Sequence, residues 1–140
     1  MDQMVLFMLD DQTFGLPIVT VERIVRVVEI TGLPNAPKNI MGVVNVHGHV
    51  TPVLNLRYCL GLPQRALGLL NLLIISSVSE KSVAFVADSV IGVFRASISS
   101  IKKESPTIEN MIRCNDQLIM VIHDLGCFMA LDVNPKGVQS

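Results

Sequence analysis

The sequence predicts an all-β fold in which two similar half-barrels share one core. Three observations carry this expectation. Short apolar runs alternate with turn residues at close, regular spacing, which marks barrels rather than layered α/β folds. No stretch keeps a helical period for long. The chain also echoes itself: displaced by 69 residues, Thr13–Val27 falls on Ser82–Ala96, matching Leu16 to Phe85, Val21 to Val90, Ile24 to Val93 and Arg26 to Arg95. The same displacement lays Val50–Leu56 on Ile119–Leu125. Apolar strands resemble one another cheaply, but one displacement serving two separated blocks is hard to obtain by chance. A half of ~70 residues has only a marginal core of its own, so residues 1–140 are expected to form a single domain of two intertwined subdomains.

The elements follow in order. Met4–Leu9 and Thr13–Pro17 read as a hairpin about the polar turn Asp10-Asp11-Gln12. Val19–Ile24 has the length of a helical turn, with Val21 and Ile24 inward and Glu22 and Arg23 outward, and Val25–Ile30 follows as a strand. Strands Gly42–Val46 and Val50–Leu54 flank His47-Gly48-His49. Leu56–Leu60 makes a short helix stopped by Gly61, with Pro63 just beyond. Leu72–Val78, Ser82–Ala87, Val93–Ala96, Met111–Arg113 and Gln117–Ile122 complete the strands, Lys102-Lys103-Glu104 reads as a solvated loop, and Leu125–Leu131 forms a last short helix.

Composition narrows the function. Half of the 140 residues are apolar and 16% are charged, with a mean hydropathy of +0.53, so apolar surface is available for a partner. Valine-rich and isoleucine-rich β domains share that composition, which keeps the bland reading open. The longest apolar run, Leu67–Ile75, is broken by Asn71 and is less than half the ~20 residues of a membrane span. With no basic start or cleavage site, the expected location is the cytoplasm, without membrane insertion. Cys59, Cys114 and Cys127 are odd in number and lack CxxC spacing, so reduced thiols are expected rather than disulfides or a zinc knuckle. Eleven basic against twelve acidic residues give no field for nucleic acid, and the aromatics are too few to stack bases. Most of the seven methionines are expected to fill the core.

The residues that could carry chemistry are sparse. His47 and His49 could chelate a metal, but a site needs a third ligand and an orienting partner. The candidates, His123, Asp124 and the cysteines, are distant in sequence, and a turn at Gly48 is expected to send the two rings along different strands. His123 and Asp124 are adjacent strand residues pointing to opposite faces, which breaks a nucleophile triad. No nucleophile elbow, phosphate loop or dinucleotide fingerprint occurs. No enzyme activity and no cofactor are expected; a small metal-binding protein or metal enzyme using His47 and His49 is the alternative.

Gly42-Val43-Val44-Asn45, Gly48, Pro52-Val53, Leu56-Arg57 and Leu60-Gly61-Leu62 resemble, in order and spacing, the central motif of the CheW-like domain, the coupling module of bacterial chemotaxis-type signalling. Phe14–Ile18 with Val21–Ile24, Ile30–Pro34 with Ala36-Pro37, Phe85–Val90 and Leu118–Leu125 extend the resemblance from Met4 to Leu125. It implies two five-stranded Src-homology-3-like barrels around a shared apolar core. It further implies a non-enzymatic adaptor that joins a chemoreceptor's cytoplasmic tip to the regulatory domain of a CheA-type histidine kinase and is recruited to membrane receptor arrays. A divergent coupling protein of a non-flagellar pathway fits the same resemblance.

The resemblance places Glu22, Val44, Asn45, His47 and Gly48 nearest the receptor surface. Arg57 either contacts a partner or holds a local carboxylate. Gly48 is expected to permit the hairpin turn, Asn45 to tie it down, and Asp88 to hydrogen-bond a backbone turn. Two positions depart from the family: His47 stands where arginine is usual, and Asn55 where aspartate is usual. In the family that arginine lies near the glutamate matching Glu22, and a guanidinium holds a carboxylate by two bonds at any physiological pH. An imidazole is charged only in part near neutrality. His47 and Glu22 are therefore expected either to form part of a retained partner surface, with coupling that is weaker, pH-sensitive or directed to a different partner, or to leave His47 as a solvated turn residue only.

Overall fold

β-Branched and aromatic runs pair into two sheets in the computed structural model, which describes residues 2–96, 102–103, 110–114, 117–123 and 125–129. The strands are β1 Asp2–Leu9, β2 Gln12–Pro17, β3 Val21–Arg26, β4 Ile40–Val46, β5 His49–Leu54, β6 Leu72–Val78, β7 Lys81–Ala87, β8 Ser89–Ala96, β9 Lys102–Lys103, β10 Asn110–Cys114 and β11 Gln117–Val121. Two short helices, α1 Leu56–Leu60 and α2 Gly126–Met129, and a 3-10 turn at Ile18–Thr20 complete the described elements. One sheet, in the order β3-β6-β7-β5-β4, uses contiguous chain. The other, β8-β1-β2-β11-β10-β9, joins the amino-terminal hairpin to strands from the far end.

The central strands β1, β6 and β7 bury side chains on both faces, which explains their near-continuous apolar runs. Val25, Val44, Val53, Leu73, Ile75 and Ala84 form one cluster drawn from all five strands of the contiguous sheet. A flat sheet could not bring its outer strands to one cluster, so this sheet curls around it, and a bridge from Thr31 to Val43 ties the chain beyond β3 to β4. That approach requires glycine at Gly42 (φ +154°), where an added Cβ would overlap the Thr31 carbonyl. Met4, Leu6, Ile119 and Val121 with Phe94 form the inner cluster of the second sheet. The opposite faces meet in the largest cluster, where Phe7, Phe14 and Leu16 pack with Leu54, Ile74, Phe85 and Phe128. The rings of Phe7 and Phe85 lie 5.0 Å apart across that seam.

The displacement of 69 residues relates the hydrogen-bond ladders as well. Met4 pairs with Pro17 in β1·β2, and Leu73 with Val86 in β6·β7. Gln3 pairs with Arg95 in β1·β8, and Leu72 with Arg26 in β6·β3. Each of these last two ladders slips by one residue at the corresponding step, after Leu6 in one and after Ile75 in the other. The hairpins differ: Val46 faces His49, whereas Cys114 faces Gln117, one residue earlier in each strand than the displacement would place them.

Three expectations need correction. Only Ile18–Thr20 turns helically; Val21–Arg26 is a strand against β6, and Val25 rather than Ile24 packs inward, leaving Ile24 38% exposed. The run of β-branched side chains suits a pleated edge better than a helix, and pairing with β6 decides the matter. The expected strand Val25–Ile30 accordingly ends at Arg26. Lys102–Lys103 is a two-residue strand on β10 rather than a loop. The last expected helix is seen as Gly126–Met129, and its expected continuation to Leu131 lies outside the described residues.

Candidate partner-binding site

The β4–β5 hairpin turns through His47 and Gly48, both with positive φ (52° and 84°), the geometry of a two-residue turn with inverted handedness. Asn45 fixes it: the Gly48 backbone N–H donates to Asn45 Oδ1 at 2.9 Å. Asn45, His47, Gly48 and His49 are all exposed. Val44, expected at the same surface, instead points into the sheet's inner cluster and is 2% exposed, because the alternation along β4 sends it inward.

Glu22 enters from β3, the opposite edge strand of the same sheet, and accepts a 2.8 Å hydrogen bond from Ser82 Oγ. Glu22, Arg23, Val46, His47, His49 and Thr51 line one depression of about 110 Å³, which also reaches Ser82. The structure thus brings Glu22 and His47 to one place. His49, the first residue of β5 beyond the turn, also lines the depression. Next to this depression runs a groove of about 770 Å³ whose apolar lining includes Val50, Pro52, Val78, Val83 and Met129. Val50 is 69% exposed there.

Arg57 belongs to a different cluster. Asn55 caps α1, its side chain accepting from the Tyr58 backbone N–H at 3.1 Å, and Gly61 (φ +75°) ends the helix. This short turn aims Arg57 at the seam between the sheets. Its guanidinium donates to both Asp88 carboxylate oxygens, at 2.9 and 2.7 Å, and pairs with Asp10 at 3.0 Å. A further bond reaches the Pro63 carbonyl at 3.1 Å. Asp88 in turn accepts from the Asp10 backbone N–H at 2.7 Å, and Arg65 also pairs with Asp10. Arg57 is only 11% exposed. Desolvation pushes the Asp10 carboxyl up, but Arg57 and Arg65 together hold it below its ordinary value. For Arg57 desolvation acts downward and is outweighed by Asp88 and Asp10, so its pKa is raised.

Several of these roles left no mark in the sequence. Ser82 opens an ordinary apolar strand. Asp10 reads as a polar turn residue. Asn39 is 1% exposed and donates to the Phe128 carbonyl at 3.0 Å and the Met129 carbonyl at 3.3 Å, fastening α2 to the contiguous sheet. The hydrogen bonds of these residues join partners 60 to 90 positions apart, and no local period can announce them.

Among the described residues no group of three histidine, cysteine, aspartate or glutamate side chains could hold a metal ion, and no helix is long and apolar enough to cross a membrane. Asp124 and the side chains of Cys114 and Cys127 lie outside the described residues.

Comparison with known proteins is consistent across three kinds of relative. The chemotaxis protein CheW of Bacillus subtilis is 27% identical over 129 residues, 86% of this chain and 83% of its own. Protein FrzA of Myxococcus xanthus is 32% identical over 95 residues, 68% of this chain and 59% of its own. The crystal structure of the scaffolding protein TtCheW from Thermoanaerobacter tengcongensis superposes with a TM-score of 0.80 at 26% identity, covering 89% of this chain and 86% of that one. The sequence pattern of the CheW-like domain matches residues 3–130, so the chain belongs to the CheW-like domain family and is a non-enzymatic coupling adaptor of chemotaxis signalling.

Proposed function

We propose that the chain bridges the cytoplasmic tip of a chemoreceptor and the regulatory domain of a CheA-type histidine kinase, working in the cytoplasm at membrane receptor arrays. In this reading residues 1–140 act as one domain of two subdomains, and Glu22, Asn45, His47 and Gly48 face a partner directly. Val44 and Arg57 serve that surface from within, Val44 by seating β4 and Arg57 by holding the two sheets together.

The observation that carries the reading is the open depression between the edge strands β3 and β4, continuous in its lining residues with an apolar groove. Glu22, His49, Thr51 and Ser82 line both, so a partner could place polar and apolar residues side by side. Co-purification with the organism's own CheA-type kinases and receptors tests the reading. Retention of at least one kinase is expected, and failure against all of them would sink it. Glu22→Arg should weaken partner binding roughly tenfold, the scale of one central interface residue, while leaving the unfolding midpoint unchanged.

A further inference from the structure

Asn55 stands where the family usually has aspartate, and it does more than cap α1. Its Oδ1 takes the Tyr58 N–H, a task that serine or aspartate performs as well. Its Nδ2 is left to donate to Gln64 Oε1 at 2.9 Å. Gln64 lies in a stretch, residues 62–66, that leaves α1 and reaches the amino-terminal hairpin, where Arg65 pairs with Asp10. We propose that residues 62–66 are a strap, fastened by Asn55 and Asp10, that stiffens the seam between the two sheets when closed and opens without unfolding either sheet. Such a device goes beyond the adaptor reading and does not depend on it.

Backbone hydrogen bonds anchor the chain on either side of the strap. At one end the Leu62 N–H donates to the Arg57 carbonyl at 2.8 Å, beside the left-handed Gly61. Beyond the other end the Asn71 N–H closes a turn on the Gly68 carbonyl at 3.1 Å, and the Gly68 N–H donates back to Asn71 Oδ1. Between these anchors, the holds found among the described residues are made by side chains: Arg57 on the Pro63 carbonyl, Asn55 on Gln64, and Arg65 on Asp10. Pro63, Gln64, Arg65 and Ala66 are all exposed. A segment held in this way opens at a small fraction of the free energy of global unfolding. Gln64, Arg65 and Ala66 share the lining of a cavity of about 30 Å³ with Met41, Leu54 and Val86, so the closed strap also covers apolar surface. Closed, it gives Asp10 two arginines; open, it leaves Arg57 alone to tie the hairpin to α1. The charges are matched, Arg57 and Arg65 against Asp10 and Asp88. Aspartate at position 55, in the same cavity lining, would add a third carboxylate competing for Arg65, and the neutral amide of Asn55 avoids that competition.

Trypsin reads the strap directly, because cleavage after Arg65 requires that side chain to leave Asp10 and enter the protease. Where opening is fast relative to cleavage, the rate follows the open population. In the whole chain, Asn55→Ser keeps the cap but is too short to reach Gln64, and Gln64→Ala removes the acceptor. Each should raise cleavage at Arg65 roughly fivefold, the scale of one net hydrogen bond, and the double variant should add little because both changes remove the same bond. Cleavage at Arg65 should rise only weakly in low urea, since opening the strap exposes little surface. Amide exchange at Asp10, whose N–H donates to Asp88, reads the seam and should quicken by about two- to fivefold in both variants. Unchanged cleavage at Arg65 overturns the proposal, as does a urea slope equal to that of global unfolding or an Asp10 amide that does not respond. None of these outcomes bears on the adaptor reading, which co-purification with the kinases decides.

Discussion

Arg57 and His47 lie on either side of β5 in the sequence, and their surroundings are opposite. Arg57 is sequestered at the seam between the sheets, where its guanidinium meets Asp88, Asp10 and the Pro63 carbonyl. His47 stands at an exposed turn beside Glu22, Arg23 and His49, with no ion pair among the described residues. The first cluster spends its charge on holding the fold, and the second keeps its charge available. Partly buried, fully paired ions fix geometry, whereas exposed unpaired ones are free to meet a partner.

This contrast can be broken by substitution. Arg57→Met should cost about 2–3 kcal/mol of stability, because two partly buried carboxylates lose their counter-charge, as read by urea unfolding. Arg57→Lys keeps the charge but not the fork, and a loss of about 1 kcal/mol is expected. A loss as small in Arg57→Met would mean that the seam does not depend on these ions.

Acid should sharpen the contrast. Asp10 is held below its ordinary pKa, so its contribution is fully present above the usual carboxylate range near ~4 and is lost as pH falls through the lowered value. Denaturation midpoints between pH 2 and 5 should therefore fall in the native chain. In Arg57→Met that dependence should shrink, since desolvation then acts on Asp10 with less opposition. The smallest effect is expected at the other cluster, where His47→Asn should change stability by less than about 0.5 kcal/mol at any pH from 6 to 8. A larger change would show that the turn histidine supports the fold.

What could be read from the sequence follows the range of the interactions. The hairpins, the turn at His47-Gly48 and the α1 stop at Gly61 depend on neighbours a few residues away, and each was legible. The two-sheet architecture was legible for a different reason, since the 69-residue echo repeats local patterns and the ladders repeat with it. The edge strand β3 was misread because six residues with mixed polarity carry no clear period, and only pairing with β6 settles them. The meeting of Glu22 with His47 came from the family resemblance, whereas His49, Ser82 and Lys81 at the same surface came only from the fold. The seam was half legible: Arg57 and Asp88 were singled out, but Asp10 and Asn39 act across distances that no sequence window spans.

The swapped amino-terminal hairpin has a consequence for biogenesis. β1 and β2 are synthesised before the contiguous sheet, yet their outer partners, β8 and β11, leave the ribosome after it. The contiguous sheet, residues 21–87, can close meanwhile, while Phe7 and Phe14 wait with both flanks of their hairpin unpaired. Because translation proceeds at about 5–20 residues per second, that exposure lasts for seconds. The hairpin of β1 and β2 is thus a segment that a chaperone would shield until its partners emerge.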